Sequence, residues 1–110
     1  NTALESLYCS GNQLTSLDVS QNTALKQLWC YGNQLTSLDV SQNTALKQLR
    51  CYGNQLSTLD LSNCTSLFSV YCNMPSLKTL YLKNGHSIEG ITYNRSRTYI
   101  NDSTEIVFVD

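Results

Sequence analysis

A single spacing of 21 residues constrains this chain more than any other feature of its sequence. Leucines and their apolar replacements recur at that interval in six separate series, and no series slips. The series are Leu4, Leu25, Leu46, Leu67 and Ile88; Leu7, Leu28, Leu49, Val70 and Ile91; Cys9, Cys30, Cys51 and Cys72; Leu14, Leu35, Leu56 and Leu77; Leu17, Leu38, Leu59 and Leu80; and Val19, Val40, Leu61 and Leu82. Such a repeat predicts stacked coils that bury their apolar positions against one another.

The pattern inside each coil resembles that of the leucine-rich repeat family. One coil runs from Leu25 to Leu35 as L-x-x-L-x-C-x-x-N-x-L, with Cys30 in place of the third leucine, and the next runs from Leu46 to Leu56 in the same way. The resemblance implies a right-handed solenoid with a parallel β-sheet and little or no helix, placed in the α/β class by convention. The repeats look like those of bacterial cell-surface, internalin-style proteins.

Alternating side chains predict where the strands lie. Around Trp29, the neighbours Leu28 and Cys30 point to one face of the chain and Trp29 to the other. The same positions predict strands near 6–9, 27–30, 48–51, 69–72 and 90–93, and a second extended segment in each coil, as at 38–40. We expect residues 1–94 to form four full coils and part of a fifth, and 95–110 to cap the same domain with a β-hairpin of 97–100 and 105–109.

Polar residues at the bends are predicted to form ladders. Asn33 and its equivalents Asn12 and Asn54 are expected to bond the backbone of neighbouring coils, because backbone groups at a buried bend cannot all join a sheet. The glycine before each asparagine permits a left-handed bend. Cys64 falls in register with Asn43, and we therefore interpret it as a ladder residue.

The cysteines and acidic residues are interpreted as structural. Four of the five cysteines are in phase and predicted to line the core as reduced thiols, and no spacing typical of a zinc site occurs. His86 is the only histidine, and no motif of a catalytic site is present, so the sequence predicts no enzyme, no cofactor and no metal. Asp18, Asp39 and Asp60 form an acidic series; we expect each to bond backbone amides of its own turn, and calcium binding between coils is the alternative.

Charge and hydropathy exclude several partners. The formal net charge is -1, and no run of like charges or long apolar stretch occurs, so neither nucleic acid nor a membrane-inserted segment is expected. The chain starts in phase with its own repeat, which predicts that it is a piece of a longer protein. Its first coil then has an open edge, through which we expect self-association or covering by another segment.

The positions that vary most between coils point to function. Aromatic residues and one arginine occupy the outward strand positions, and their predicted set is Tyr8, Trp29, Tyr31, Arg50, Tyr52 and Tyr71. Trp, Tyr and Arg dominate binding energy at interfaces, so this set predicts a non-catalytic module that binds a protein or glycan on the concave face of the sheet. The alternative is a spacer whose rings, with Arg50 between Trp29 and Tyr71, pack together only to stiffen the sheet. The family resemblance implies an extracellular or cell-surface location.

Overall fold

The computed structural model describes residues 3–93 and 95–110, which contain β-strands and turns and no helix. The strands are β1 (Ser6–Tyr8), β2 (Gln27–Trp29), β3 (Gln48–Arg50), β4 (Thr58–Asp60), β5 (Ser69–Tyr71), β6 (Thr79–Lys83) and β7 (Glu105–Val109). Four of them form one parallel sheet in the order β1-β2-β3-β5, here called the front sheet, and β4-β6-β7 form the rear sheet.

The front sheet follows the 21-residue register without a slip. Leu28 pairs with Leu7 on one side and with Leu49 on the other, and Leu49 pairs in turn with Val70. The predicted strands therefore form within one residue of the predicted ends. Because every strand enters the sheet one coil after the last, equivalent side chains of successive coils stand in line.

The core lies between the two sheets and is built from the six apolar series. From the second coil onward their members are buried almost completely, including Leu28, Leu49 and Leu80 at 0% exposure. In the first coil Leu4, Leu7, Leu14 and Leu17 are only half-buried. The difference arises because no preceding coil covers them in the described part of the chain.

The asparagine ladder forms as predicted. The Asn54 amide nitrogen donates to the carbonyl oxygens of Cys30 and Cys51 at 2.9 and 3.0 Å, and its oxygen accepts from the backbone N–H of Leu35 at 3.0 Å. Asn33 repeats these contacts one coil earlier. Each asparagine thus satisfies backbone groups of two coils, which a bend buried in a stack requires.

The residue before each ladder asparagine needs to be glycine for two reasons. Gly53 has a φ of 71°, a left-handed conformation that L side chains rarely adopt. A Cβ added to Gly53 would also lie 3.1 Å from the backbone nitrogen of Gly32 in the preceding coil. The glycines therefore allow the coils to approach each other closely at this corner.

Cys64 takes the place of a ladder asparagine, as predicted from its register. Its thiol lies 3.4 Å from the carbonyl oxygen of Val40. One coil earlier, the amide of Asn43 donates to the carbonyl oxygen of Val19 at 3.0 Å. The thiol is thus a weaker donor to the equivalent backbone oxygen.

The second extended segment of each coil becomes a strand only toward the C-terminal end. β4 and β6 pair in parallel, with Leu59 opposite Leu80, whereas 38–40 in the second coil is not paired as a strand. The predicted inward and outward alternation nevertheless holds there, because Leu38 and Val40 are buried and Asp39 is exposed.

The predicted fifth strand at 90–93 is wrong. The backbone N–H groups of Ile91 and Thr92 both donate to the carbonyl oxygen of Ile88, and the Thr92 hydroxyl bonds the same residue. These local bonds close a turn, and only an isolated bridge between Glu89 and Tyr93 remains. The groups that a strand would offer to the sheet are already used.

The predicted β-hairpin of 97–100 and 105–109 is also wrong. The N–H groups of Tyr99 and Ile100 both donate to the carbonyl oxygen of Ser96, so this segment forms a turn rather than a strand. β7 does form, but it pairs in parallel with β6, with Leu80 opposite Ile106. The C-terminal segment therefore covers the last coil by adding one more parallel strand.

Candidate binding face

The outward positions of the front sheet carry one side chain from each coil in a row. Register places Tyr8 beside Trp29, Trp29 beside Arg50, and Arg50 beside Tyr71. Tyr31 and Tyr52 lie two residues further along their coils. We call these six residues the aromatic stripe; the structure brings all of them together, as the sequence predicts.

The side chains of the row stack on one another. The ring centroids of Tyr8 and Trp29 are 4.6 Å apart and tilted by 38°. The guanidinium carbon of Arg50 lies 4.2 Å from the centroid of the Trp29 ring and 4.7 Å from that of Tyr71. Arg50 is therefore held between two rings, one from each neighbouring coil.

The two remaining tyrosines form a second stack beside the first. Tyr31 and Tyr52 lie parallel, with centroids 4.7 Å apart and planes within 6°. Tyr52 also approaches Tyr71, at 6.5 Å between centroids, which joins the two stacks. The stripe is therefore a continuous contact network rather than a set of separate rings.

The structure adds one member that the period does not predict. Tyr99 contacts Tyr71 edge to face with centroids 4.7 Å apart, and its carbonyl oxygen accepts from the N–H of Cys72 at 2.7 Å. In the preceding coil, Tyr71 accepts from Cys51 in the same way. A hydrogen bond with the Tyr71 side chain raises the pKa of Tyr99.

Tyr99 was missed because it follows Tyr71 by 28 residues rather than 21. The available signal is the pair Tyr99-Ile100, which repeats the outward-inward order of Tyr71-Cys72, and Ile100 is indeed fully buried. Aligning that pair with an insertion in the fifth coil would have found the fifth member of the row.

The stripe offers edges, hydroxyl groups and N–H groups to a ligand more than ring faces. Tyr8, at the open end, is 58% exposed, whereas the rings of Trp29, Tyr52 and Tyr71 are half-buried by their neighbours. The indole nitrogen of Trp29 is shielded from solvent and has no acceptor in the described part of the chain. An unpaired donor of this kind costs about 1 to 3 kcal/mol.

The cysteines lie beneath the face and line the core. Burial raises the pKa of the Cys30 and Cys72 thiols to about 12 and holds that of Cys51 well above its usual range. All five thiols are free. Protonated, enclosed thiols of this kind act as small apolar side chains rather than as nucleophiles.

The acidic series lies on the rear side, away from the stripe. The carboxylate oxygens of Asp18, Asp39 and Asp60 each accept from the backbone N–H two residues later at 2.9 Å, as predicted. The hydrogen bond from the Ser20 hydroxyl lowers the pKa of Asp18. A hollow of about 370 Å³ lies between Asp39 and Asp60.

Two other observations concern possible sites. His86 directs Nε2 to the carbonyl oxygen of Leu67 at 2.8 Å. Within residues 3–93 and 95–110, no group of three or more histidine, cysteine or carboxylate side chains has the geometry of a metal site. The same residues include no helix with the length and apolarity of a membrane span.

Comparison with known proteins identifies the repeats. The family model described as "Leucine Rich repeats (2 copies)" matches residues 2–43 and again 23–63. A comparison with curated proteins gave no match. A solved structure of the functional domain of InlJ from Listeria monocytogenes, described as including a cysteine ladder, matches with a TM-score of 0.67 and 39% identity.

That match covers 76% of this chain and 21% of the InlJ chain, so this chain spans about a fifth of that protein's length. The sequence matches, the parallel coils and the absence of helix in the described residues agree with one another. The chain belongs to the leucine-rich repeat family and resembles the internalins.

Proposed function

We propose that this chain is a non-catalytic binding module of a surface or exported protein, and that its aromatic stripe contacts a partner protein. The observation that carries the proposal is the continuous stack from Tyr8 through Arg50 to Tyr71 on one face of the front sheet. Tyr, Trp and Arg together on one accessible surface are typical of the residues that dominate binding energy. The surface location rests on the resemblance to internalin-style repeats.

The stacked geometry favours a protein over a glycan. A sugar ring stacks on a free aromatic face, but Tyr8 and Arg50 flank the Trp29 ring, and Tyr31 and Tyr52 cover each other. The exposed edges and polar atoms suit hydrogen bonds to a peptide backbone and its side chains. The unpaired indole N–H of Trp29 would gain an acceptor if a ligand approached it closely.

The spacer remains the second candidate because the same stacking supports it. Pairs of stacked rings contribute about 0.5 to 1.5 kcal/mol beyond their buried area, which is enough to retain them without a ligand. The two functions differ in one consequence: only a binder loses a partner when the stripe is altered while the fold is kept.

The test is a selection of displayed peptides and extracellular protein domains on the immobilised chain, followed by affinity measurement with variants. We expect Trp29→Ala and Tyr52→Ala to weaken the selected ligands at least about tenfold. Phe68→Ala is the matched control, since Phe68 is an equally exposed aromatic outside the stripe. Circular dichroism confirms that each variant is folded. Equal affinities for all three variants, or no ligand selected above background, would favour the spacer.

A further inference from the structure

The Arg50 guanidinium is a cation without a counter-ion. Lys26 pairs with Glu5 at 3.2 Å and Arg97 with Asp102 at 2.6 Å. Arg95 spends its guanidinium on the carbonyl oxygens of Asn101 and Thr104. Among the described residues, no carboxylate lies within ion-pair distance of Arg50, and its guanidinium donates no hydrogen bond. Its five N–H donors are therefore available.

The rings on either side fix the direction of those donors. Trp29 and Tyr71 lie 4.2 and 4.7 Å from the guanidinium carbon and cover its two faces. The N–H bonds lie in the plane of the group, so the rings leave its edge open. A long side chain that is otherwise mobile is thereby held in one orientation, which reduces the entropy lost when it binds a ligand.

We infer that Arg50 binds a carboxylate of an extended protein segment that lies along the aromatic stripe. The planar fork of arginine matches the two oxygens of a carboxylate in a bidentate pair. An acidic side chain would supply the charge that this surface lacks. The inference deepens the proposed function and rests on it, since it names the chemical group that the stripe recognises.

A protein segment fits this surface better than an acidic glycan. Members of the row are separated by about 4.8 Å, the spacing of neighbouring strands, so from Tyr8 to Tyr99 the row spans roughly 19 Å. That length matches about six residues of an extended chain. An acidic sugar would satisfy Arg50 equally well, but it would find the neighbouring ring faces already covered.

The experiment is a selection of capped linear octapeptides of random sequence on the whole chain, with binding of the best peptides measured by isothermal titration calorimetry. We expect the selected peptides to share one Glu or Asp position. Replacing that residue by Gln or Asn should weaken binding at least about tenfold. Raising the salt concentration should weaken the acidic peptide and leave the amide peptide nearly unchanged.

Variants of the chain identify Arg50 as the receptor. Arg50→Gln should bind the acidic and amide peptides equally, and Arg50→Lys should recover only part of the difference because lysine lacks the fork. Lys47→Gln is the control, since it removes a nearby exposed cation from outside the stripe. The comparison of two peptides on one variant cancels any effect of the substitution on stability.

The outcomes separate this inference from the proposed function. Peptides that bind without a shared acid, or an acid preference that persists in Arg50→Gln, would overturn the role of Arg50 while the stripe remained a binding face. Binding of hyaluronan or sialylated oligosaccharides, with no peptide selected, would overturn the protein segment. No binding of any probe would overturn both proposals.

Discussion

Individual side chains in this fold have effects set by how many neighbouring coils they serve. Leu49 contacts core from three coils and is completely buried, whereas Lys47, two residues earlier, is exposed. Asn54 bonds backbone groups of its own coil and the preceding one, whereas Asn12, at the open end, bonds only carbonyl oxygens of its own coil. Equivalent positions in the sequence therefore differ in their contribution to stability.

Replacing Leu49 by alanine should lower the free energy of unfolding by about 2 to 5 kcal/mol, because it removes apolar contacts and leaves a cavity. Denaturant unfolding followed by circular dichroism measures the change. Lys47→Ala is the control and should change stability by less than about 0.5 kcal/mol. A loss below about 1 kcal/mol for Leu49→Ala would show that this position is outside the core.

Replacing Asn54 by alanine should destabilise the protein more than the same change at Asn12. Asn54→Ala leaves a buried N–H and two buried carbonyl groups with fewer partners, and each unsatisfied group costs about 1 to 3 kcal/mol. The bonds of Asn12 lie at an exposed position where water replaces them. The same unfolding experiment compares the two variants, and equal losses would contradict the ladder as a stabilising element.

At the scale of the elements, the sequence predicts what repeats and fails where the repeat is broken. β1, β2, β3 and β5 lie where Leu7, Leu28, Leu49 and Val70 place them, since a 21-residue period fixes register directly. The last two predicted elements failed because local turns at Ile88–Thr92 and Ser96–Ile100 take up the backbone donors. Alternation alone does not reveal such competition.

The candidate face shows the same division. The row from Tyr8 to Tyr71 follows from the period, whereas Tyr99 enters through an insertion that the period excludes. The orientation of Arg50 between two rings was foreseen as one packing arrangement. Its lack of a counter-ion depends on where every carboxylate lies in three dimensions, and only the structure supplies that.

The stacked cysteine series should make the fold sensitive to alkaline pH. Folding raises the pKa of Cys30 and Cys72 to about 12 and that of Cys64 to about 11, whereas a thiol in the unfolded chain has a pKa of about 8.5. The folded state then holds more protons above pH 9. Stability is fully present below that pH and should fall by about 1.4 kcal/mol per pH unit for each buried thiol as pH rises toward the folded value.

Unfolding in guanidinium from pH 8 to pH 10.5, under reducing conditions, measures this slope. Cys51→Ala removes one buried thiol, so its stability should fall with pH by about one proton less than that of the wild-type chain, whatever its stability at pH 8. Identical slopes for the two proteins would mean that Cys51 is not held protonated by the fold.

At the scale of the whole molecule, stability should be lowest at the first coil. Leu4, Leu7, Leu14 and Leu17 are half-buried, whereas their equivalents in the next coils are buried. In a stack whose coils contact only their neighbours, an uncovered terminal coil opens first. We expect amides around β1 to exchange with deuterium faster than those around β2 and β3, and mass spectrometry of peptides from each coil measures this.

The open edge also predicts contacts with other protein. The half-buried leucines and the unpaired side of β1 form a surface on which a further coil or a second copy of the chain would stack. We expect light scattering to show association that increases with concentration, and exchange around β1 to slow as association proceeds. A strict monomer at millimolar concentration, with equal protection of the first and third coils, would contradict this expectation.

The central claim is that the front of the molecule is a binding face, and Trp29 reports on it directly. Trp29 is the only tryptophan and lies between Tyr8 and Arg50 within the stripe. Its fluorescence is best measured while ligands from a panel of extracellular protein domains, selected peptides and glycans are added. The account predicts a saturable change in emission with a protein ligand, at a concentration that matches the affinity measured independently. Unchanged emission across the whole panel, together with unchanged partners for Trp29→Ala, would contradict it and leave the spacer as the function.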